Sequence, residues 1–197
     1  MNSSDNMANP DPDQWPAGVV LTGGQSKRFG QDKGRFPYKG KALVEHALDT
    51  LRPHCSHLLL STNKTESYAW LKIPCIPDIY PGCGPLAGIH SALVHAATGT
   101  VAILGCDTPH VNGMLFDFLR NKLGKHHAVI PAHGNFAETL CALYSRESLP
   151  VLESAIRAGR LKILDALKDL DVLYVNIEKE SFYRPGMFHN INRRTDL

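Results

Sequence analysis

Short β-branched runs alternate with segments of helical periodicity from residue 17 almost to the end of the chain, and this alternation constrains the fold more than any other feature. The run AGVVLTGG (17–24) reads as a buried strand, because an apolar, β-branched stretch stops at a glycine pair. In KALVEHALDTLRP, Leu43, Val44, Ala47, Leu48 and Leu51 recur at helical spacing, and Pro53 ends the segment. HLLLST reads as a second strand. Strand LKIPCIP, helix PLAGIHSALVHAA, strand TVAILGC, helix VNGMLFDFLRNKL and strand HHAVIPA follow. Past Ala137 come strand TLCALYS, helix RESLPVLESAIRAG, the amphipathic KILDALKDL and strand VLYVNI. Parallel strands need long, right-handed crossovers, so the expectation is an α/β fold: a single Rossmann-like three-layer domain with a mostly parallel sheet and helices on both faces. Residues 1–16 are polar and hold three prolines; they are expected to form a disordered tail ahead of one domain over 17–197.

Charge and composition exclude several function classes. A formal net charge of +2, from 21 basic and 19 acidic residues, gives no reason to expect binding to nucleic acid or to an anionic membrane. No apolar run approaches the roughly 18 residues of a spanning helix, and the first residues lack a basic start followed by an apolar stretch. A cytoplasmic protein is expected. The five cysteines are scattered without a CxxC pair, which predicts reduced structural thiols, and the ten histidines show no HExxH spacing.

In a parallel α/β sheet, ligands sit beyond the carboxyl ends of the strands. That rule singles out the loop after the first strand, Asn63 after the second, and Cys106 and Asp107 after a later one, all expected to open on one crevice. The loop LTGGQSKRFGQDKGR holds Gly23, Gly24, Gly30 and Gly34 with Lys27, Arg28, Lys33 and Arg35. Glycines let backbone N–H groups approach a polyphosphate closely, and the cations neutralise it. The loop matches neither GxxxxGK[ST] nor GxGxxG. Gly82, Gly84 and Ala87 do satisfy GxGxxA, with Asp107 20 residues further on, but the prolines of IPDIYP and Pro85 argue against a dinucleotide fingerprint there. Asp107, at the end of TVAILGC, is placed to ligate Mg²⁺ beside a triphosphate, or more simply to cap the helix that follows.

With these blocks placed, the sequence resembles the molybdenum cofactor guanylyltransferases of the MobA type. The resemblance rests on LTGGQSKRFGQDK, PDIYPGCGPLAGIHSAL, CDTP and FHNIN, in that order, and spans nearly everything from Gly18 to Leu197. It implies transfer of GMP from GTP to the terminal phosphate of molybdopterin or Mo-molybdopterin, with Mg²⁺ as cofactor. By that similarity Leu21, Thr22, Gly23 and Gly24 would contact the nucleotide through the backbone, and Arg28 and Lys33 would grip its phosphates. Asp107 would hold the metal. Asp78 would bind GTP, a carboxylate being suited to accept from guanine N1–H and N2–H together. Either Ser61 or Asn63 would supply a further nucleotide contact, and Asn190 and Asn192 would lie near the pterin. A molybdoenzyme, or a chaperone for its maturation, is the implied protein partner.

Departures from the family pattern keep alternatives open. Thr22 and Phe29 replace an alanine and a methionine, and Glu138-Thr139 stands where a proline and a small or apolar residue are expected. A cytidylyltransferase for the same pterin would show a proline before the loop lysine and a GD-type metal motif, whereas Asp32 precedes Lys33 and Cys106 precedes Asp107. Sugar-phosphate transferases share the first loop in longer chains. A carrier that binds nucleotide or pterin without catalysis is the alternative from another class.

Overall fold

The computed structural model describes residues 15–22 and 32–191. Ten strands and five α-helices follow one another as β1 (Ala17–Leu21), β2 (Pro37–Tyr38), β3 (Lys41–Ala42), α1 (Leu43–Leu51), β4 (Leu58–Ser61), β5 (Cys75–Ile76), α2 (Pro85–His95), β6 (Thr100–Gly105), α3 (Met114–Leu123), β7 (Ala128–His133), β8 (Phe136–Ala137), β9 (Cys141–Ser145), α4 (Leu149–Arg157), α5 (Ile163–Ala166) and β10 (Val172–Asn176), counted among the described residues. The main sheet runs in the order β10-β7-β9-β6-β1-β4-β5, with β8 paired to β7. β1, β4, β5 and β6 are parallel neighbours, as are β7 and β10.

The two-residue period of a strand divides the core between the two faces of the sheet. Val20, Leu60, Leu104, Val129 and Leu143 meet Val44, Leu48 and Leu51 of α1 and Leu115, Phe116 and Leu119 of α3. Val19, Leu21, Leu59, Ile103, Ile130 and Tyr144 instead meet Leu86, Ile89 and Leu93 of α2 and Leu152 and Ile156 of α4. The expected three layers are therefore present. Pro16 and Trp15 are tied to this body: the Pro16 carbonyl accepts from the Ser56 N–H at 3.0 Å, and the Arg120 guanidinium lies 4.9 Å from the Trp15 ring centroid.

Three local features depart from the sequence expectation. β9 runs antiparallel between β6 and β7, because β7 and β8 form a hairpin through Gly134 (φ 51°) and no crossover helix separates them from β9. The strand expected over 71–77 shrinks to Cys75–Ile76. Thr65–Leu71 winds as 3₁₀ helix, and Pro74 and Pro77 flank what remains of an edge strand. An unforeseen second hairpin pairs β2 with β3 around Lys39 and Gly40, both at positive φ, the geometry a two-residue turn demands.

Candidate active site

The register of the central strands sets the site. Leu21 is the partner of both Ser61 and Gly105, so β1, β4 and β6 release their chains at one level. The ladder extends one step further, with Thr22 N–H donating to the Ser61 carbonyl and Cys106 N–H to the Leu21 carbonyl, each at 3.1 Å. Thr22, Thr62 and Asp107 thus emerge side by side at the carboxyl ends of the central strands.

Lys33 reaches this rim from the far side of the first loop. It opens a short 3₁₀ turn (Lys33–Arg35) whose preceding residue, Asp32, caps it by accepting from the Gly34 N–H at 3.2 Å. From there Lys33 Nζ donates to Asp107 Oδ2 at 2.9 Å, with side-chain exposures of 15% and 27%. Two residues singled out separately in the sequence, a phosphate-binding cation and a metal-binding carboxylate, are one ion pair. Cys106 beside them takes no part as a thiolate, since burial pushes its thiol up to about 12. The five cysteines are all free.

The second pair of predicted residues also meets. Asn63 Nδ2 donates to Asp78 Oδ2 at 2.7 Å, and the Asp78 N–H donates to Asn63 Oδ1 at 2.9 Å. Ser61 has a different place. Its side chain is buried against Gly88 of α2, where an added Cβ would lie 3.1 Å from Ser61 Oγ, and its carbonyl holds Thr22 through both backbone and hydroxyl. Asn190 is exposed, and the next residue ties it to the site: Ile191 N–H donates to the Asp107 carbonyl at 2.9 Å, and Ile191 is sealed against Leu43, Phe36 and Tyr38. Gly23, Gly24, Arg28 and Asn192 lie outside the described residues.

Glu138, where the sequence departs from the family pattern, pairs with His133 across the β7–β8 hairpin at 2.9 Å, and His133 stacks on Phe188 at 5.0 Å between ring centroids. Glu138 is thus satisfied by a local hydrogen bond. Sequence reading missed Tyr68 and the role of Asp32. Tyr68 sits in the 3₁₀ stretch, where neither helical nor strand periodicity marks a buried residue, yet it is fully buried and donates to Asp32 Oδ1 at 2.5 Å. The GxGxxA glycines, by contrast, precede α2 after an edge strand and an intervening turn, not after a central strand as a dinucleotide site requires.

Residues 18–171 match the family described as the MobA-like NTP transferase domain. The chain belongs to that family. It is 34% identical over 180 residues to a probable molybdenum cofactor guanylyltransferase of Carboxydothermus hydrogenoformans, spanning 90% of this chain and 91% of that protein. It is 32% identical over 197 residues to the molybdenum cofactor guanylyltransferase of an Aliivibrio fischeri strain, spanning 97% of this chain and 96% of the relative. Among solved structures, the molybdopterin-guanine dinucleotide biosynthesis protein A of Archaeoglobus fulgidus superposes with a TM-score of 0.78 at 30% identity, covering 91% of this chain and 94% of that one. The fold is therefore that of a MobA-like nucleotidyltransferase, and the Lys33–Asp107 pair lies at its strand-end crevice.

A nucleotidyltransferase of this kind works with a divalent metal, and the donors here set how one could be held. Among the described residues, no group of three or more His, Cys, Asp or Glu side chains could hold an ion by itself. One carboxylate completed by phosphate oxygens and water suits a hard, six-coordinate cation, and Asp107 is a carboxylate at the strand ends that could serve so. No helix among the described residues is long and apolar enough to cross a membrane.

Proposed function

We propose that this MobA-like transferase moves GMP from GTP to the terminal phosphate of molybdopterin or Mo-molybdopterin, releasing pyrophosphate and forming the guanine dinucleotide cofactor. The observation that carries the reading is the Lys33–Asp107 pair at the joint carboxyl end of β1 and β6, with the chain at Asn190 hydrogen-bonded onto Asp107. It brings together a cation, a carboxylate and the chain segment that we assign to the acceptor. The names of the relatives, molybdenum cofactor guanylyltransferases, support the choice of substrates.

A phosphate monoester dianion is already nucleophilic. Its oxygen attacks the α-phosphorus, the Pα–O–Pβ bond breaks, and the electron pair leaves with pyrophosphate, so no general base is needed. The work left to the protein is placement and charge neutralisation. Lys33 binds the departing phosphates, exchanging Asp107 for phosphate oxygens as GTP enters, and Arg28 shares that task. The residues fit Mg²⁺ on Asp107, where the ion would supply further neutralisation of the polyphosphate. The backbone of Leu21, Thr22, Gly23 and Gly24 lines the nucleotide. Asp78 accepts from guanine N1–H and N2–H, a place the Asn63 amide holds at one oxygen, so Asn63 moves aside for the base while Ser61 supports the strand end. Asn190 and Asn192 bind the acceptor. The transferase domain spans residues 17–197, acts in the cytoplasm, and hands its product to a molybdoenzyme or its maturation chaperone.

The test is incubation with Mg²⁺, molybdopterin and each of the four nucleoside triphosphates in turn, following pyrophosphate. Release with GTP alone is expected. Preference for CTP would make the chain a cytidylyltransferase, and nucleotide binding without pyrophosphate would make it a carrier.

A further inference from the structure

Asp32, which precedes Lys33, meets the phenol of Tyr68. Tyr68 Oη donates to Asp32 Oδ1 at 2.5 Å, while the Thr22 hydroxyl donates to the Ser61 carbonyl at 3.0 Å. The packing at this point is tight. A Cβ added to Gly34 would stand 2.5 Å from Tyr68 Oη and 3.2 Å from Thr22 Cγ2, so only glycine lets the loop exit approach the loop entrance this closely. Asp32 in turn caps the Gly34 N–H, and Lys64 Nζ lies 3.8 Å from its other oxygen. Tyr68 is itself immobile, fully buried among Val20, Leu60, Val44 and Leu104 in the core beneath the sheet. Burial, with the Asp32 carboxylate second, raises its phenol well above the usual tyrosine range, so the hydroxyl keeps the proton it donates.

We infer that Tyr68 is a positioning residue for nucleotide binding: its buried hydroxyl clasps Asp32, and through the Asp32 cap it presets Lys33 against Asp107. The inference rests on the reading that residues 21–33 bind a nucleoside triphosphate. Tyr68 touches no substrate. It acts through Asp32, whose cap sets the direction in which Lys33 leaves the backbone. The arrangement holds Lys33 in place before the ligand arrives, the general benefit of a preorganised site.

Equilibrium binding of each NTP with Mg²⁺, read without turnover, tests this on the full chain. Tyr68→Phe keeps the ring and its packing and removes only the hydroxyl. It is expected to raise the Kd for Mg·GTP about tenfold, the scale for a lost hydrogen bond to a carboxylate. Asp32→Asn should weaken binding in the same direction, and the double variant should bind no worse than the weaker of the two singles, because both remove one link. Tyr144→Phe is the control. That phenol is equally buried and donates to the Thr139 carbonyl at 2.8 Å, away from the loop ends, so its loss should lower the melting temperature and leave the Kd in place. An unchanged Kd in Tyr68→Phe, a loss no larger than in Tyr144→Phe, or additive effects in the cycle would overturn the clasp. If Tyr68→Phe does not fold, an unchanged Kd in Asp32→Asn overturns it. If CTP or another NTP binds in place of GTP, the guanine reading fails and the clasp is judged on that nucleotide; if none binds, both fall.

Discussion

Lys33 and Asp107 neutralise each other in the free protein, at 2.9 Å, and this contact defines what substitution at either must do. Removing Lys33 leaves a partly buried carboxylate without its cation and takes a positive charge from the departing pyrophosphate. Removing Asp107 takes the partner of Lys33 and the carboxylate proposed to hold the metal. Either Lys33→Ala or Asp107→Ala is expected to slow pyrophosphate release on the order of 10²-fold, the scale for one key electrostatic group, as measured in single-turnover assays. Turnover at the wild-type rate would remove that residue from the chemistry. Asp78 stands apart from this, paired with Asn63 and proposed to meet the base and not the phosphates. Asp78→Asn should raise the KM for GTP about tenfold or more with kcat little changed, because a carboxylate that accepts two guanine protons becomes an amide that presents one of its own. A fall in kcat at unchanged KM would place Asp78 at the reacting groups instead.

At the scale of elements, the parts that the chain wrote in plain periodicity are the parts that formed as expected. β1, β4 and β6 come from apolar runs that end at Gly, Ser or Thr, and their common exit level follows from parallel pairing, so Asp107 and the first loop could be placed together before any coordinates were known. The antiparallel β9 was readable too, in the mere seven residues between His133 and Cys141, too few for a crossover that needs roughly a dozen. Tyr68 was not readable, because its burial depends on a 3₁₀ stretch with no pattern of its own and on a partner 36 residues away. Nor was the choice between Ser61 and Asn63, which side-chain direction alone decides: one packs on Gly88, the other pairs with Asp78. The junction of α1 and α3 offers a test at this scale. A Cβ on Gly113, ahead of α3, would lie 2.7 Å from the Thr50 carbonyl oxygen and 2.5 Å from the His54 ring, which is held by Asp117 at 2.7 Å. Backbone cannot swing aside as a side-chain tip can. Gly113→Ala should therefore cost roughly 1–3 kcal/mol of stability, read as a lower urea midpoint, and an unshifted midpoint would show that α3 moves freely off α1.

The whole molecule has a pH response set by two histidines on different elements. His90 of α2 is buried against the sheet, with Tyr80 edge-on at 5.1 Å and no hydrogen-bond partner for its Nδ1. Burial lowers its pKa below the ordinary 6.5; Glu153 opposes the shift and Arg157 adds to it. His110, beside Tyr38, is lowered by burial and by the charges of Lys39, His189 and His46. In both, the folded state disfavours the proton more than the unfolded chain does. Above about pH 6.5 the two states are alike at these positions and the histidines contribute no pH dependence. As pH falls from 6.5 toward the lowered folded values, the unfolded chain takes up protons first, and stability declines by at most about 1.4 kcal/mol per pH unit for His90 and by much less for the exposed, solvent-screened His110. Urea midpoints should hold level from pH 8 to 7 and drop between pH 6.5 and 5. His90→Leu removes the proton site while keeping the apolar contacts of α2, so its midpoint should drop less steeply across that interval than the wild type's. Equal slopes in the two proteins would mean that His90 protonates as easily folded as unfolded, and that the acid limit of the fold lies with His110 and the carboxylates.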